Sequence, residues 1–352
     1  MDARHWNQSV YRRHIEALNG ALNDIRQRDG LGAALEALVA QQFDAGFVED
    51  DLRSVRRYRV YHPTDRSRSF LLQYNPRRAL RHAGAGRSVP PPNTEPVNGG
   101  CFLCEENIAW QQRGLEVGFG ITLGGTEYRC FANPFPLMPV HVTVAASRHV
   151  PQAWSLAQDD AKAPRIDEVV SHLVDLSEQL PSFVVFFNGP GAGASIPSHL
   201  HFQLFKRPGL EPFPLESAPR LNDSAEPAFK DYPITCAHFE GSSSVVAREG
   251  AAWLSRLSHA ADDPSGMSVN LIAVSAGERS HLYAVPRHSL FSYAQGLAGL
   301  VGGLEILGEL VLSTDLEKQN IDQGHYSYAS IAEIIAAVEP PRQPVVAEFG
   351  HT

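Results

Sequence analysis

The chain has too little of several residue types to belong to the more specialised protein classes. Only 4 of its 352 residues are cysteine, too few to staple a chain of this length, so a disulfide scaffold is excluded. No run approaches the roughly 20 apolar residues of a membrane helix. The N-terminus carries no hydrophobic stretch of the signal-peptide kind. Positive charge is short as well, with 30 Lys and Arg against 39 Asp and Glu and a net charge of -9. Nonspecific nucleic-acid binding needs a basic surface and is therefore excluded. An anionic substrate would have to be held by a local positive patch. Lysine is confined to Lys162, Lys206, Lys230 and Lys318, so arginine carries the positive charge. The arginine-rich stretch from Arg53 to Arg87 accordingly reads as solvated surface before it reads as a binding patch.

What is present suits a cytoplasmic enzyme. A chain with 43% hydrophobic and 20% charged residues can bury one large core or two ordinary ones. Residues 5–48 read as helical with a break at Gly30–Gly32, because Leu31, Leu35, Leu38 and Val39 recur at helical spacing. Strands are expected within 57–75, and the glycine- and proline-rich stretch 84–100 reads as a linker. Short strands follow near 119–123, 128–132 and 141–145, then a helix over 165–179 and a strand over 183–187. Residues 208–228 read as a connector. A strand pair over 268–275 and 281–286 turns around Gly277. Helices are expected over 299–312, carrying Leu304, Leu307 and Val311, and over 331–338.

The chemistry concentrates after residue 187. Asn188-Gly189-Pro190-Gly191-Ala192-Gly193-Ala194 leads into Ser195-Ile-Pro-Ser-His199-Leu200-His201-Phe202-Gln203. Polar and apolar residues alternate, so His199, His201 and Gln203 share one face of a strand. Two imidazoles and an amide beside an amide-rich loop suit work on a phosphate, with His201 as candidate nucleophile. Glycines at 189, 191 and 193 would let backbone N–H groups approach phosphate oxygens. Asn188 opens that loop, and Ser195 could add a hydroxyl donor. Cys101 and Cys104 have the spacing of a zinc knuckle. A tetrahedral site needs two further ligands, and Cys130, Cys236 and His141 are available donors.

His199-Leu-His201-Phe-Gln203 resembles the His-x-His-x-Gln signature of the transferase branch of the histidine-triad superfamily. Behind its glycine-rich loop, the wording is most similar to GDP-L-galactose and GDP-glucose phosphorylases and their bacterial relatives. Uridylyltransferases of the branch place a proline where Leu200 stands and lack the extra Ser198, which favours the phosphorylase side. Cys101-Phe-Leu-Cys104, Asn133-Pro134-Phe135-Pro136 with His141, the run Arg148 to Gln152, and Gln73 to Arg78 resemble further segments of these proteins. So does the stretch Gly303 to Glu309.

The resemblance implies an α+β fold of duplicated histidine-triad-like halves, antiparallel sheets flanked by helices, with an N-terminal helical extension. The corresponding division is 1–95 for the extension and first strands, 96–210 for the half bearing the catalytic and zinc motifs, and 211–352 for the second half. It implies a nucleotidyltransferase that cleaves an NDP-hexose, a GDP-sugar by preference, with orthophosphate or a sugar 1-phosphate as acceptor, through a nucleotidyl-His201. Gln203 would bind a phosphoryl oxygen but cannot act as acid or base near neutrality, so transfer is favoured over hydrolysis. His149 and His199 would join Cys101 and Cys104 on a structural Zn2+. Asn133, Phe135 and Pro136 would line the nucleotide pocket. Arg78, Lys206 and Arg287 are candidates for phosphate or sugar contacts. Alternatives are a dinucleoside polyphosphate phosphorylase or hydrolase on the same scaffold, or a non-catalytic nucleotide sensor. A homodimer is compatible with the sequence, which contains nothing that sets oligomeric state or names the sugar.

Overall fold

A computed structural model describes residues 8–83, 86, 89–112, 114–155, 163–221, 228–260 and 266–340. Residues 5–7, parts of the expected linker (84, 85, 87 and 88) and of the connector (222–227) lie outside the described residues. The N-terminal extension forms α1 (Gln8–Asp29) and α2 (Leu31–Asp44). The break falls at Gly30, whose φ of 90° no helical residue adopts.

A three-stranded sheet is built from β1 (Arg56–Tyr61), β2 (Ser69–Tyr74) and a strand from near the C-terminus. After α3 (Glu105–Gln111) come β3 (Phe119–Leu123), β4 (Thr126–Ala132), β5 (Val142–Ala146), α4 (Ile166–Gln179), β6 (Phe183–Asn188) and β7 (His201–Lys206). Then follow β8 (Ala237–Gly241), α5 (Ser243–Ala260), β9 (Met267–Ala276) and β10 (Arg279–His288). The chain continues through α6 (Gly303–Ile306), β11 (Glu309–Leu312), α7 (Asp315–Asp322) and α8 (Tyr328–Ala336).

Strands β3 to β10 form one antiparallel sheet of eight in the order β3-β4-β5-β7-β6-β9-β10-β8. Two runs of strand–helix–strand–strand make up most of it, β5-α4-β6-β7 and β8-α5-β9-β10. Their spatial orders, β5-β7-β6 and β9-β10-β8, mirror each other about the β6–β9 seam. The fold is thus the expected α+β arrangement of duplicated halves, and their strands are continuous across residue 210.

Each face of the sheet carries its own core. One packs against α1, α2, α4 and α5 through residues such as Leu35, Val170, Phe187, Phe202 and Leu254. The other packs Phe186, Phe205, Ile272 and Val285 against β2, β11, α6 and α8. Every residue of β6 is buried, as two covered faces require, and the segment reads as an unbroken apolar run ending in Asn188.

The helix expected over 299–312 is corrected. Residues Gly303–Ile306 make one turn, and Gly308, at φ 97°, ends it. Glu309–Leu312 then form β11, parallel to β2. Leu304, Leu307 and Val311 mimic a helical stripe, but all four residues of β11 are buried, and a short run covered on both sides is a strand. Among the described residues, no helix is long and apolar enough to cross a membrane.

Candidate active site

His201 opens β7, and the pleat aims it, with Gln203, at the sheet face opposite α4 and α5, while Phe202 and Leu204 enter the helix-side core. Its ring is 3% exposed. Nδ1 lies 2.8 Å from the carbonyl oxygen of His199. A carbonyl only accepts, so Nδ1 carries the proton and Nε2 holds the lone pair. Burial lowers the imidazole to about 4, which keeps Nε2 unprotonated near neutral pH.

Gln203 is oriented by His141. The Leu137 amide donates to His141 Nδ1 at 3.1 Å, so the proton of this neutral ring sits on Nε2. That N–H donates to Gln203 Oε1 at 3.0 Å, so the Gln203 amide turns its NH2 away from His141. Burial holds His141 down to about 3, with the Arg78 charge adding to the effect.

Between Asn188 and His201 the sheet is joined by a side chain. Regular β6–β7 pairing ends at Phe186 and Gln203. Beyond it, fully buried Gln152 accepts from the His201 amide at 2.6 Å and donates to the carbonyls of His201 and Asn188 at 2.8 and 2.9 Å. Gln152 closes the Arg148–Gln152 motif, and neither its spacing nor its type marked it as a site residue.

Asn188 ends β6 beneath the glycine loop. Its Oδ1 accepts from Asn270 Nδ2 at 2.8 Å and from the Gly303 amide at 3.0 Å, which uses both of its lone pairs. Asn270 also donates to Ala192 O at 2.7 Å. Gly191 sits at φ 69°, and an added Cβ would come within 2.4 Å of Ser289 Cα; at Gly193 it would come within 2.6 Å of Gly302 Cα. Gly189, Gly191 and Gly193 thus let the loop press on the second half, and the Gly189 amide is already bonded to Val269 O at 2.9 Å. Ser195 lies exposed on the same loop.

Two expected contacts are corrected. Lys206 leaves the opposite face of β7 and pairs with Glu36 of α2 at 2.7 Å, because Phe202, Leu204 and Lys206 share that face. Arg287 is 1% exposed. Its Nη1 donates to Asn270 Oδ1 at 2.6 Å and Val301 O at 2.9 Å, and Nη2 to Phe291 O at 3.2 Å. Burial lowers it to about 10, still well above neutral pH, so it is a cation that braces Asn270 and, through it, the loop. Arg78 donates to the carbonyl of Phe135, and Asn75 Nδ2 to that of Pro136 at 3.0 Å. Together they hold the Asn133–Pro136 turn, where Asn133 Oδ1 accepts from the Phe135 amide at 2.9 Å.

Cys101, Cys104, His149 and His199 converge two residues before β7. His199 Nδ1 lies 3.4 Å from Cys101 Sγ, 3.7 Å from Cys104 Sγ and 3.3 Å from His149 Nδ1, and Cys104 Sγ lies 3.4 Å from His149 Nδ1. His199 Nε2 donates to Ala146 O at 2.7 Å, which leaves Nδ1 unprotonated and facing the thiols. Burial pushes the Cys104 thiol up to about 11. The other sequence candidates stand elsewhere: Cys130 in the helix-side core, Cys236 in the opposite core, and His141 against Gln203.

A family described as "Domain of unknown function (DUF4922)" matches residues 38–206, a stretch that includes the histidine strand and all four residues of the Cys/His cluster. No curated protein matches. Among solved structures, yeast Ap4A phosphorylase Apa2 is similar at a TM-score of 0.56 and 17% identity, over 86% of this chain and 97% of that one. The same yeast protein in complex with Ap4A gives 0.56 and 16%, over 87% and 95%. An ADP-glucose phosphorylase from Arabidopsis thaliana with bound ADP-glucose shares 14% identity over 81% and 99%, but its TM-score of 0.32 is too low to carry weight. The likeness to the yeast enzyme shows that this chain shares its fold.

Proposed function

We propose that this protein is a nucleotidyl-transferring phosphorylase that works through a covalent nucleotidyl-His201. The observation that carries the reading is the Nδ1–H to His199 carbonyl bond, 2.8 Å long, which commits the Nε2 lone pair to the site. Nε2 attacks the α-phosphorus of an NDP-hexose. The bond to the bridging oxygen breaks, and its electron pair leaves with the hexose 1-phosphate. The proton stays on Nδ1, which donates to the His199 carbonyl, and that bond steadies the positive ring as the P–N bond forms. Gln203 and Asn188 donate amide N–H groups to the phosphoryl oxygens. An orthophosphate oxygen then attacks phosphorus, the P–N pair returns to Nε2, and a nucleoside diphosphate departs. Gln203 has no proton to give to water chemistry, which supports transfer over hydrolysis.

A dinucleoside polyphosphate is the second reading of the same steps, favoured by the yeast Ap4A phosphorylase among the structural neighbours.

The four-donor cluster fits a zinc ion held by Cys101, Cys104, His149 and His199. In a tetrahedral site with ordinary bond lengths, nitrogen pairs stand about 3.3 Å apart and nitrogen–sulfur pairs about 3.6 Å, close to the separations in this cluster. Two thiols and two imidazoles aimed at one point form the donor set zinc prefers. When bound, zinc would hold the entry to β7 in place; with four protein ligands it leaves no position for water.

The test is incubation with α-32P-labelled GDP-, ADP- and UDP-hexoses and Ap4A, with and without phosphate. An acid-labile, base-stable label on His201 and nucleoside diphosphate release only with phosphate are expected. His201→Asn lowers kcat at least about 10³-fold. Full turnover by His201→Asn, or nucleoside monophosphate released without phosphate, overturns the reading.

A further inference from the structure

The stretch Gln73 to Arg78, where β2 ends, sends three side chains to one piece of backbone. Gln73 Nε2 donates to the carbonyl of Leu137 at 2.9 Å, Asn75 Nδ2 to that of Pro136 at 3.0 Å, and Arg78 Nη1 to that of Phe135. Three successive carbonyls are thus held from one short motif. Gln73 and Asn75 are fully buried.

The held backbone governs a proton. The peptide joining Pro136 to Leu137 turns its carbonyl to Asn75 and its N–H to His141 Nδ1, 3.1 Å away. While that N–H points at Nδ1, the neutral ring carries its proton on Nε2, which donates to Gln203 Oε1 at 3.0 Å. The NH2 of Gln203 then faces the phosphoryl oxygens. If the peptide turned, the proton would be free to move to Nδ1. The bare Nε2 would take an N–H from Gln203, and the amide would rotate to offer its oxygen to the phosphate, where a donor is needed.

Gln73 is itself held from the far end of the chain. Glu309, the first residue of β11 and 1% exposed, accepts from Gln73 Nε2 at 3.1 Å and from Arg57 Nε at 2.8 Å. Gln73 uses its NH2 on two acceptors, and its Oε1 is buried with no partner, which costs about 1–3 kcal/mol. A hydrophobic pair at 73 and 309 would fill the same core without a buried charge. The polar set is explained by the carbonyl it holds.

We infer that Gln73 and Asn75 are positioning residues for the transfer step, locking the His141 tautomer and so turning the donor side of Gln203 toward the phosphate; the inference rests on the nucleotidyl-His201 reading above. Neither residue needs to touch a substrate, because both act through the Pro136–Leu137 backbone and the His141 ring.

Two substitutions test it. Asn75→Asp keeps the Oδ1 that accepts from the Arg78 amide at 3.3 Å and loses the Nδ2 donor. Gln73→Leu breaks the neighbouring hold by a different change. Nitrogen NMR of the full chain with isotope-labelled histidine, His141 being assigned by its absence in His141→Gln, reads where the ring proton sits. The wild type should carry it on Nε2, and both variants should show a population with it on Nδ1. Phosphate-dependent turnover of the nucleotide hexoses and Ap4A should fall about tenfold or more in kcat, with KM changed by less than about threefold, because the lost alignment acts at the transition state. In a Gln203→Ala background the same substitutions should cost nothing further, since no amide is left to orient. A wild-type His141 tautomer in both variants, or equal losses with and without the Gln203 amide, overturns the inference and leaves the transfer reading standing. A wild type whose His201 is labelled by none of these nucleotides overturns the transfer reading, whatever the NMR shows.

Discussion

Individual side chains in the site act through the hydrogen bonds that fix their protons. His141 is the clearest case, because both ring nitrogens are spoken for. In the unfolded chain it titrates near 6.5, and in the fold only near 3. The unfolded state therefore takes up a proton first as the pH falls. Its contribution to stability is complete above about pH 6.5 and is lost as the pH drops toward 3. At about 1.4 kcal/mol per pH unit, the fold should lose about 2 kcal/mol between pH 7 and pH 5 through this residue. Urea unfolding at pH 7, 6 and 5 measures it, and His141→Gln should flatten the slope by that amount. The chemistry of β7 was legible in the chain, since alternation alone places His201 and Gln203 on one face. The bracing residues were not. Nothing local marks Gln152, Asn270 or Arg287 as partners, because their contacts cross 36, 82 and 17 positions of sequence.

Elements tell a similar story. α4 and α2 were readable from apolar spacing, and the failure at 299–312 came from a buried run that periodicity cannot assign. α5 and α7 escaped notice despite local signals: Val246, Trp253 and Leu254 recur on one face of α5, and Thr314 with Glu317 caps α7. The Cys101–Cys104 spacing was plain, while the convergence of His149 on it depends on how β5 and the following loop run. If zinc binds there, it ties the start of α3 to the start of β7. The purified protein should then hold one equivalent of zinc by elemental analysis. Cys104→Ser should lose it and lower stability by several kcal/mol, read as a drop in Tm. Unchanged Tm in Cys104→Ser, with no metal in the wild type, would remove zinc from the account.

At the scale of the molecule, the halves share more than a border. Val185 to Asn188 pair with Asn270 to Ala273 across the seam, and β11 from the C-terminal region completes the sheet begun by β1 and β2. Fragments 1–210 and 211–352, made separately, should therefore each fail to fold, because each would expose a long unpaired strand and half of a core. Circular dichroism of the fragments alone and mixed checks this, and two independently folded fragments would contradict it. The halves differ at the matching strands: β10, the counterpart of β7 about the seam, begins Arg279-Ser280-His281 where β7 begins His201-Phe202-Gln203, and carries the bracing Arg287 one residue before its end.

Where Gln152 stands in for the backbone ladder between Asn188 and His201, the sheet is parted like cloth held by a single stitch. Without that side chain two buried carbonyls and a buried amide N–H would lose their partners at once. The whole burden of holding the two edges together falls on one buried amide.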